Sequence, residues 1–344
     1  MPYLSRRHAL ITAAAIAAIA PNVRAADSKR TLGKNGPEVS GVGLGTNNFG
    51  MRLDAAGAKT VVHAAVDNGI TLFDTANVYG RGASEEMLGA ALGARRSKVL
   101  IATKFGGPMN EGKFPEGGGS RGAVIEATEA SLRRLKTDVI DVQQYHRPDG
   151  KTPMDETLEA LDSLVKQGKV RYIGHSNFDG ALAHECDKIA ADNGLTHYVS
   201  AQNHYSLLTR DIEADLVPAC EDLGLGVLPY FPLESGMLTG KYKRDEKPAE
   251  GTRLAAWSKM APQVADQFMN DQIFAKVEKL TSLAEQSGAT LLDFAFGWLL
   301  SRPYIASVIA GATKPSQIES NVKSALWRPS PDIAAEIDRI TKAA

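Results

Sequence analysis

The sequence predicts an α/β fold, a (β/α)8 TIM barrel with an N-terminal β-hairpin and long rim loops. Three observations predict it. From Arg30 onward, short β-rich runs alternate with helical stretches, the strand recurs eight times with a helix in each gap, and most links are short. Such alternation argues for a parallel sheet. Eight units in about 300 residues fit a closed barrel, whose chemistry sits at the C-terminal ends of the strands.

Taken in order, Arg30 to Ser40 reads as a hairpin with Asn35-Gly36 as its turn. Strands are expected at Gly41–Gly45, Thr71–Asp74, Val99–Thr103, Val139–Gln143, Tyr172–His175, Val199–Asn203, Gly226–Pro229 and Ser307–Ala310. Helices are expected at Ala55–Asn68, Ser84–Leu92, Gly122–Leu135, Met154–Gln167, Gly180–Asn193, Arg210–Leu223 and Ile273–Ser287. Ser84 reads as an N-cap, followed by acidic residues that suit the positive helix end. The alternative fold is an open doubly wound sheet, supported by Gly41-Val42-Gly43-Leu44-Gly45-Thr46. Its third glycine is misplaced for GxGxxG and no helix follows at once, so these glycines read as the first barrel strand and its exit.

The 344 residues carry a formal net charge of −1, with no long charge run and no repeat of solenoid period. Nothing there points to nucleic acid as a partner. Cys186 and Cys220 have neither CxxC spacing nor a nearby histidine cluster, and read as buried, unpaired thiols. An oxidising compartment would keep a disulfide open.

The N-terminus has its own character. Ser5-Arg6-Arg7-His8-Ala9-Leu10 is a twin-arginine pattern, followed by an Ala/Ile run from Ala9 to Ala20, then Pro21 and Val23-Arg24-Ala25. Charged head, short apolar core and small-residue site describe a signal peptide over residues 1–25, with the barrel over residues 30–344. The apolar run is too short for a membrane span, which needs about 20 residues. The expectation is export of the folded chain through the twin-arginine machinery to the periplasm. The alternative is a cytoplasmic protein with a disordered or amphipathic extension.

If the barrel is right, reactive residues should follow strand ends. Asp74 and Tyr79 follow the second strand in Phe73-Asp74-Thr75-Ala76-Asn77-Val78-Tyr79, Lys104 ends the third, and His146 follows the fourth in Gln144-Tyr145-His146-Arg147-Pro148-Asp149. Singly, each has an ordinary reading: solvated lysine, packing tyrosine, satisfied histidine, capping aspartate. Together they suit carbonyl reduction, where a developing alkoxide needs a proton and electrostatic support. A tyrosine is a poor acid at about 10. A neighbouring ammonium would lower that value, an aspartate would hold the ammonium, and a histidine could orient the carbonyl oxygen. No HExxH or CxxC metal spacing is present.

On these motifs the chain resembles the aldo-keto reductase family from about Arg30 to Trp327, with Asp74, Tyr79, Lys104 and His146 matching its Asp/Tyr/Lys/His tetrad. The resemblance implies a reductase or dehydrogenase using NADP(H) ahead of NAD(H), with Tyr79 as general acid/base. It also implies nicotinamide contacts from Ser176, Asn177 and Gln202, a stacking ring from Tyr230, and cofactor contacts from Pro232 and Leu233. Gly236, Leu238 and Lys241 match a segment that folds over the pyrophosphate, and Gly45 and Thr46, at the exit of the first strand, are expected to contact the cofactor. Gly311, Thr313 and Lys314 match the loop and helix start that hold the adenosine phosphates, where helix N–H groups and Lys314 would favour anions, and Gln317 and Asn321 match adenine-side positions. Phe231 and Ser320 depart from the family's frequent serine and acidic residue. The ordinary reading of Ser176-Asn177 is a helix cap.

Substrate choice is expected in the rim loops Gly106–Ser120, with Lys113 and Glu116, and Ser235–Gln272, with Trp257. Trp257 reads either as an apolar substrate wall or as loop packing, and Arg147 as a contact to a polar substrate or as a solvated charge. The competing function is a nicotinamide-binding sensor or partner subunit similar to potassium-channel β-subunits. An unrelated barrel isomerase or lyase would lack the Ser-Asn and Gly-Ala-Thr-Lys motifs. Many family members are monomers, so the resemblance leans towards a monomer.

Overall fold

The computed structural model describes residues 25–107 and 118–342. The twin-arginine pattern, the apolar run after it, and Lys113 and Glu116 lie outside the described residues. Two short antiparallel strands come first, β1 (Lys29–Thr31) and β2 (Glu38–Ser40). Eight parallel strands follow: β3 (Val42–Gly45), β4 (Leu72–Asp74), β5 (Leu100–Phe105), β6 (Ile140–Tyr145), β7 (Val170–Ser176), β8 (Tyr198–Gln202), β9 (Gly226–Val227) and β10 (Val308–Gly311). Every expected strand is present within a few residues of its place. Strand β10 pairs with β3, and β9 reaches the approach to β10 through Val227 N→Tyr304 O (2.8 Å), Ala306 N→Val227 O (2.9 Å) and Ile309 N→Pro229 O (3.0 Å). These bonds leave the sheet without an open edge, as a barrel requires.

The helices are α1 (Ala55–Asp67), α2 (Ala83–Leu92), α3 (Arg121–Leu135), α4 (Met154–Lys166), α5 (Gly180–Asn193), α6 (Leu216–Leu223), α7 (Arg253–Met260), α8 (Pro262–Phe268), α9 (Asp271–Gln286), α10 (Leu291–Leu300), α11 (Pro315–Ser324) and α12 (Pro331–Thr341). Their apolar faces join the outward side chains of the strands in one core. The inward side chains form a second, smaller cluster in which Leu72, Ala102, Val142, Val199, Leu228 and Ile309 meet Leu32 and Val39 of the hairpin. The hairpin therefore plugs the N-terminal end of the barrel and leaves the C-terminal end for chemistry. Arg30 ties it down by donating to the carbonyls of Leu300, Arg302 and Ile305.

Several local expectations are corrected. The hairpin turn is not a two-residue Asn35-Gly36 turn: six residues separate the strands, and within that loop the left-handed residue is Gly33 (φ 70°). A Cβ at Gly33 would lie 2.3 Å from the Val199 carbonyl oxygen, so the loop's fit against the barrel decides its shape. Ser84 does not cap α2, whose N-cap is Gly82. Ser84 is buried, bonding Thr46 Oγ1 (2.8 Å) and Thr75 Oγ1 (3.0 Å), and Glu85 pairs with Arg134 (2.6 Å) instead of lying free at the helix start. The rim segment 235–272 contains α7 and α8. Both cysteines are free and buried, and burial pushes each thiol up to about 12.

Candidate active site

Strand register assembles the centre of the site. Asp74 pairs with Ala102, and Lys104 pairs with Gln144. Since side chains alternate along a strand, Asp74, Lys104 and Gln144 share the inward face, one layer above the apolar plug. Lys104 Nζ lies 2.8 and 2.7 Å from the two Asp74 oxygens and 2.9 Å from the Thr75 carbonyl. Gln144 Nε2 (3.2 Å) and Gln202 Nε2 (2.8 Å) both donate to Asp74 Oδ1. Lys104 and Asp74 are almost wholly buried, at 0% and 2% exposure.

Tyr79 is brought over this pair by an unusual turn. Gly80, Arg81 and Gly82 follow it with φ of 56°, 56° and 94°, all left-handed. The turn sets Tyr79 OH 3.4 Å from Lys104 Nζ and its ring edge-on to His146, at a centroid distance of 6.2 Å. Burial raises the Tyr79 pKa more than Lys104 lowers it, so the net direction is upward. This corrects the expectation of a lowered value. Burial pulls the Lys104 ammonium down, but Asp74 and then Tyr79 outweigh it and hold it above its ordinary value. His146 is pushed down to about 3, first by burial and then by Lys104 and Arg147, and is a neutral imidazole at ordinary pH. Its Nδ1 is buried and has no partner among the described residues. A Cβ at Gly107 would lie 2.7 Å from that nitrogen, so the glycine gives the ring its seat.

These groups open onto a cavity of about 870 Å3, within the usual range for ligand pockets. Gly45, Asp74, Tyr79, His146, Ser176, Asn177, Gln202, Tyr230, Pro232, Leu233, Gly236, Lys241, Gly311, Thr313, Lys314, Gln317 and Asn321 all line it. Lys104 lies behind Asp74. Thr46 does not reach the cavity; it is buried, bonded to the Asp74 carbonyl (3.0 Å) and Ser84, and so supports the aspartate's backbone. Ser176 and Asn177 do not cap a helix, because Asp179 caps α5. Asn177, at φ 61°, donates to the His146 carbonyl (2.9 Å) and accepts from Tyr230 OH (2.8 Å). One amide thus ties the histidine segment to the aromatic ring.

The far end is shaped for anions. Helix α11 starts with Pro315, which has no N–H, and Gln317 N donates to the Lys314 carbonyl (3.1 Å), so the Ser316 N–H and the positive helix end are what it offers beside Lys314. Lys241 lies across Gly236, whose missing Cβ would come within 2.5 Å of Nζ. Sequence reasoning missed Asn47, Asn48, Arg52 and Arg253, which also line the cavity. Arg253 donates to Asn47 Oδ1 (3.3 Å) and Asn48 Oδ1 (3.4 Å), and Arg52 donates to the Gly251 carbonyl. The two arginines strap the rim segment across the cavity mouth. Arg253 forms no ion pair among the described residues, and burial and then Arg52 hold its pKa below the ordinary value. Its signal was Thr252, which caps α7 and marks Arg253 as the first residue of a helix. Trp257 is packing rather than a cavity wall, lying 6.2 Å edge-on to Phe231 and 5.6 Å from Phe268. Among the described residues, no group of three or more His, Cys, Asp or Glu is placed to hold a metal ion.

Comparison with known proteins agrees with the constellation: the sequence pattern described as the aldo/keto reductase family matches residues 41–342. The chain belongs to the aldo/keto reductase family. It is similar to a probable voltage-gated potassium channel subunit beta of Arabidopsis thaliana, 36% identical over 86% of this chain and 90% of that protein. A putative subunit of the same kind from Schizosaccharomyces pombe is 38% identical over 90% and 92% of the two chains. An uncharacterized oxidoreductase of Bacillus subtilis is 37% identical over 85% and 89%. The reductase-family match covers all eight barrel strands.

Proposed function

We propose that this aldo/keto reductase interconverts a carbonyl and its alcohol with NADP(H), Tyr79 carrying the proton. The observation behind the reading is the buried Asp74–Lys104 pair beside a tyrosine hydroxyl at the cavity floor, 3.4 Å from the ammonium. The cofactor fits the residues present. The uncapped α11 start, Lys241, Lys314 and Arg253 suit phosphates. The Ser235 hydroxyl, on the cavity wall, has no partner of its own among the described residues. Ser176, Gln202 and Tyr230 would hold a nicotinamide, with the exposed face of Tyr230 as its platform.

When bound, the nicotinamide supplies or accepts hydride. The chain's own groups manage the proton. A raised pKa keeps Tyr79 protonated at neutral pH and able to donate to an alkoxide. The Lys104 charge stabilises the phenolate left behind, and Asp74 keeps that charge in place. Neutral His146 can donate to the same substrate oxygen without adding a competing cation.

A second reading, a nicotinamide-binding partner subunit with little turnover, is favoured by the similarity to two relatives described as a probable and a putative potassium channel subunit beta. One assay separates them: oxidation of bound NADPH by a panel of aldehydes, ketones, sugars and quinones, followed by absorbance. Turnover lost in Tyr79→Phe supports the enzyme; tight binding without turnover supports the subunit. We propose further that the twin-arginine segment exports the folded chain with its nucleotide already bound. Arg6→Lys with Arg7→Lys should then retain the chain in the cytoplasm, and its export unchanged would refute the route.

A further inference from the structure

The loop leaving β9 is held from behind by a group that touches no part of the cavity. Of the seven residues from Tyr230 to Gly236, six line the cavity and Glu234 does not. Its side chain turns back into the protein, with the residue only 2% exposed. His204 Nε2 lies 3.0 Å from Glu234 Oε1, and the Ser206 hydroxyl donates to the same oxygen. Ser206 Oγ is itself fixed by the N–H groups of Leu208 (2.9 Å) and Thr209 (3.1 Å). The His204 ring stacks on Tyr230 at 5.4 Å and 18°, and meets Phe231 edge-on at 5.6 Å. One imidazole therefore binds the carboxylate and backs the aromatic platform.

The loop has a physical need for such an anchor. Phe231, Glu234 and Ser235 have φ of 51°, 44° and 54°, a region that side chains with a Cβ disfavour. A run of this kind persists only where its surroundings over-determine it. The backbone bonds Glu234 N→Phe231 O (2.9 Å) and Gly236 N→Leu233 O (2.7 Å) close the turns but lie within the loop. The Glu234 carboxylate connects that loop to the segment after β8.

We propose that His204 and Glu234 form a latch, two positioning residues that fix the Tyr230 platform and the left-handed loop and thereby set how fast a nicotinamide nucleotide leaves. The latch rests on the reading of the cavity as a nucleotide site. It predicts that cutting either half loosens the loop before any ligand is present.

The test uses two readouts on the whole protein: amide hydrogen exchange of residues 231–240 without nucleotide, and release of NADPH into excess NADP+ followed by fluorescence. Glu234→Gly and His204→Ala should each speed both processes about tenfold or more, the range expected for a buried charge-assisted hydrogen bond. The double variant should be no faster than either single one. His204→Gln retains a donor and should stay within about threefold of the parent, the residual difference reflecting the lost ring stack. Glu234→Gly guards against a purely structural explanation, because glycine relieves the backbone at this φ and would slow exchange if strain were the whole story. Parental rates in Glu234→Gly, or additive effects in the double variant, would overturn the latch. Failure of the underlying reading looks different: the parent takes up no NADPH while loop exchange still responds to both substitutions.

Discussion

Replacing Lys104 with methionine keeps an unbranched side chain one atom shorter and removes one charge from the ion pair at the cavity floor. Asp74 is left at 2% exposure with Gln144 and Gln202 on Oδ1, while Oδ2 loses the donor it has among the described residues. Stripping one partner from a buried pair costs about 3–5 kcal/mol, because the other charge stays desolvated. Adding Asp74→Asn removes the stranded charge, so the double variant should recover to within about 2 kcal/mol of the parent. The ammonium's folded pKa lies above its unfolded value, so its contribution is fully present below about 10.4 and is lost as pH rises through the folded value. The ammonium's contribution to the parent should therefore be constant across neutral pH and shrink only in alkali. Urea titrations of nucleotide-free protein, read by far-UV circular dichroism and tryptophan fluorescence, measure this provided the two transitions coincide. A single variant within about 1 kcal/mol of the parent, or a double variant less stable than the single, would refute the argument.

Other consequences are equally open to measurement. Gly107→Ala would place a Cβ 2.6 Å from Val78 Cγ1 and 2.7 Å from His146 Nδ1; displacing the imidazole should lower kcat about 10²-fold with little change in NADPH affinity, and an unchanged kcat would contradict its role as the ring's seat. Lys314→Ala should weaken NADPH about tenfold while hardly affecting NADH, as fluorescence titration would show; equal losses for both would move the lysine off the 2′-phosphate. Burial holds the His175 pKa down at about 3 from 6.5, with neither ring nitrogen partnered among the described residues. The unfolded chain takes up that proton first, so stability is lost as pH falls from about 6.5 towards about 3. His175→Phe retains a ring at the 4.4 Å stack on Phe178 and should flatten part of the decline, leaving the share due to His146; identical melting curves across that range would dismiss the idea.

The sequence was legible where local pattern and tertiary role coincide. The barrel strands carry Val, Ile and Leu on a period that also places Asp74, Lys104 and Gln144 on one inward face, so strand ends pointed directly at the floor of the site. It was less legible where long-range packing chooses the local shape. Asn35-Gly36 carries a hairpin-turn signal, yet contact with the barrel makes Gly33 the left-handed residue. Ser84 has the chemistry of a cap but is drawn into the core by Thr46 and Thr75. Helix α10, Leu-Leu-Asp-Phe-Ala-Phe-Gly-Trp-Leu-Leu, is buried nearly all round and shows no clear amphipathic stripe. Arg52 and Arg253 are about 200 residues apart and meet over the cavity only because the rim segment folds back across it. No spacing rule relates them.

The most direct test of the central claim is single-turnover absorbance at the reduced-nicotinamide band, with NADPH bound to the parent and to Tyr79→Phe and a panel of carbonyls added to each. Bleaching by at least one carbonyl is expected in the parent, with a rate about 10²–10⁴-fold lower in Tyr79→Phe and equal NADPH affinity in both. Bleaching at the parental rate in Tyr79→Phe would contradict the assignment of the proton to Tyr79.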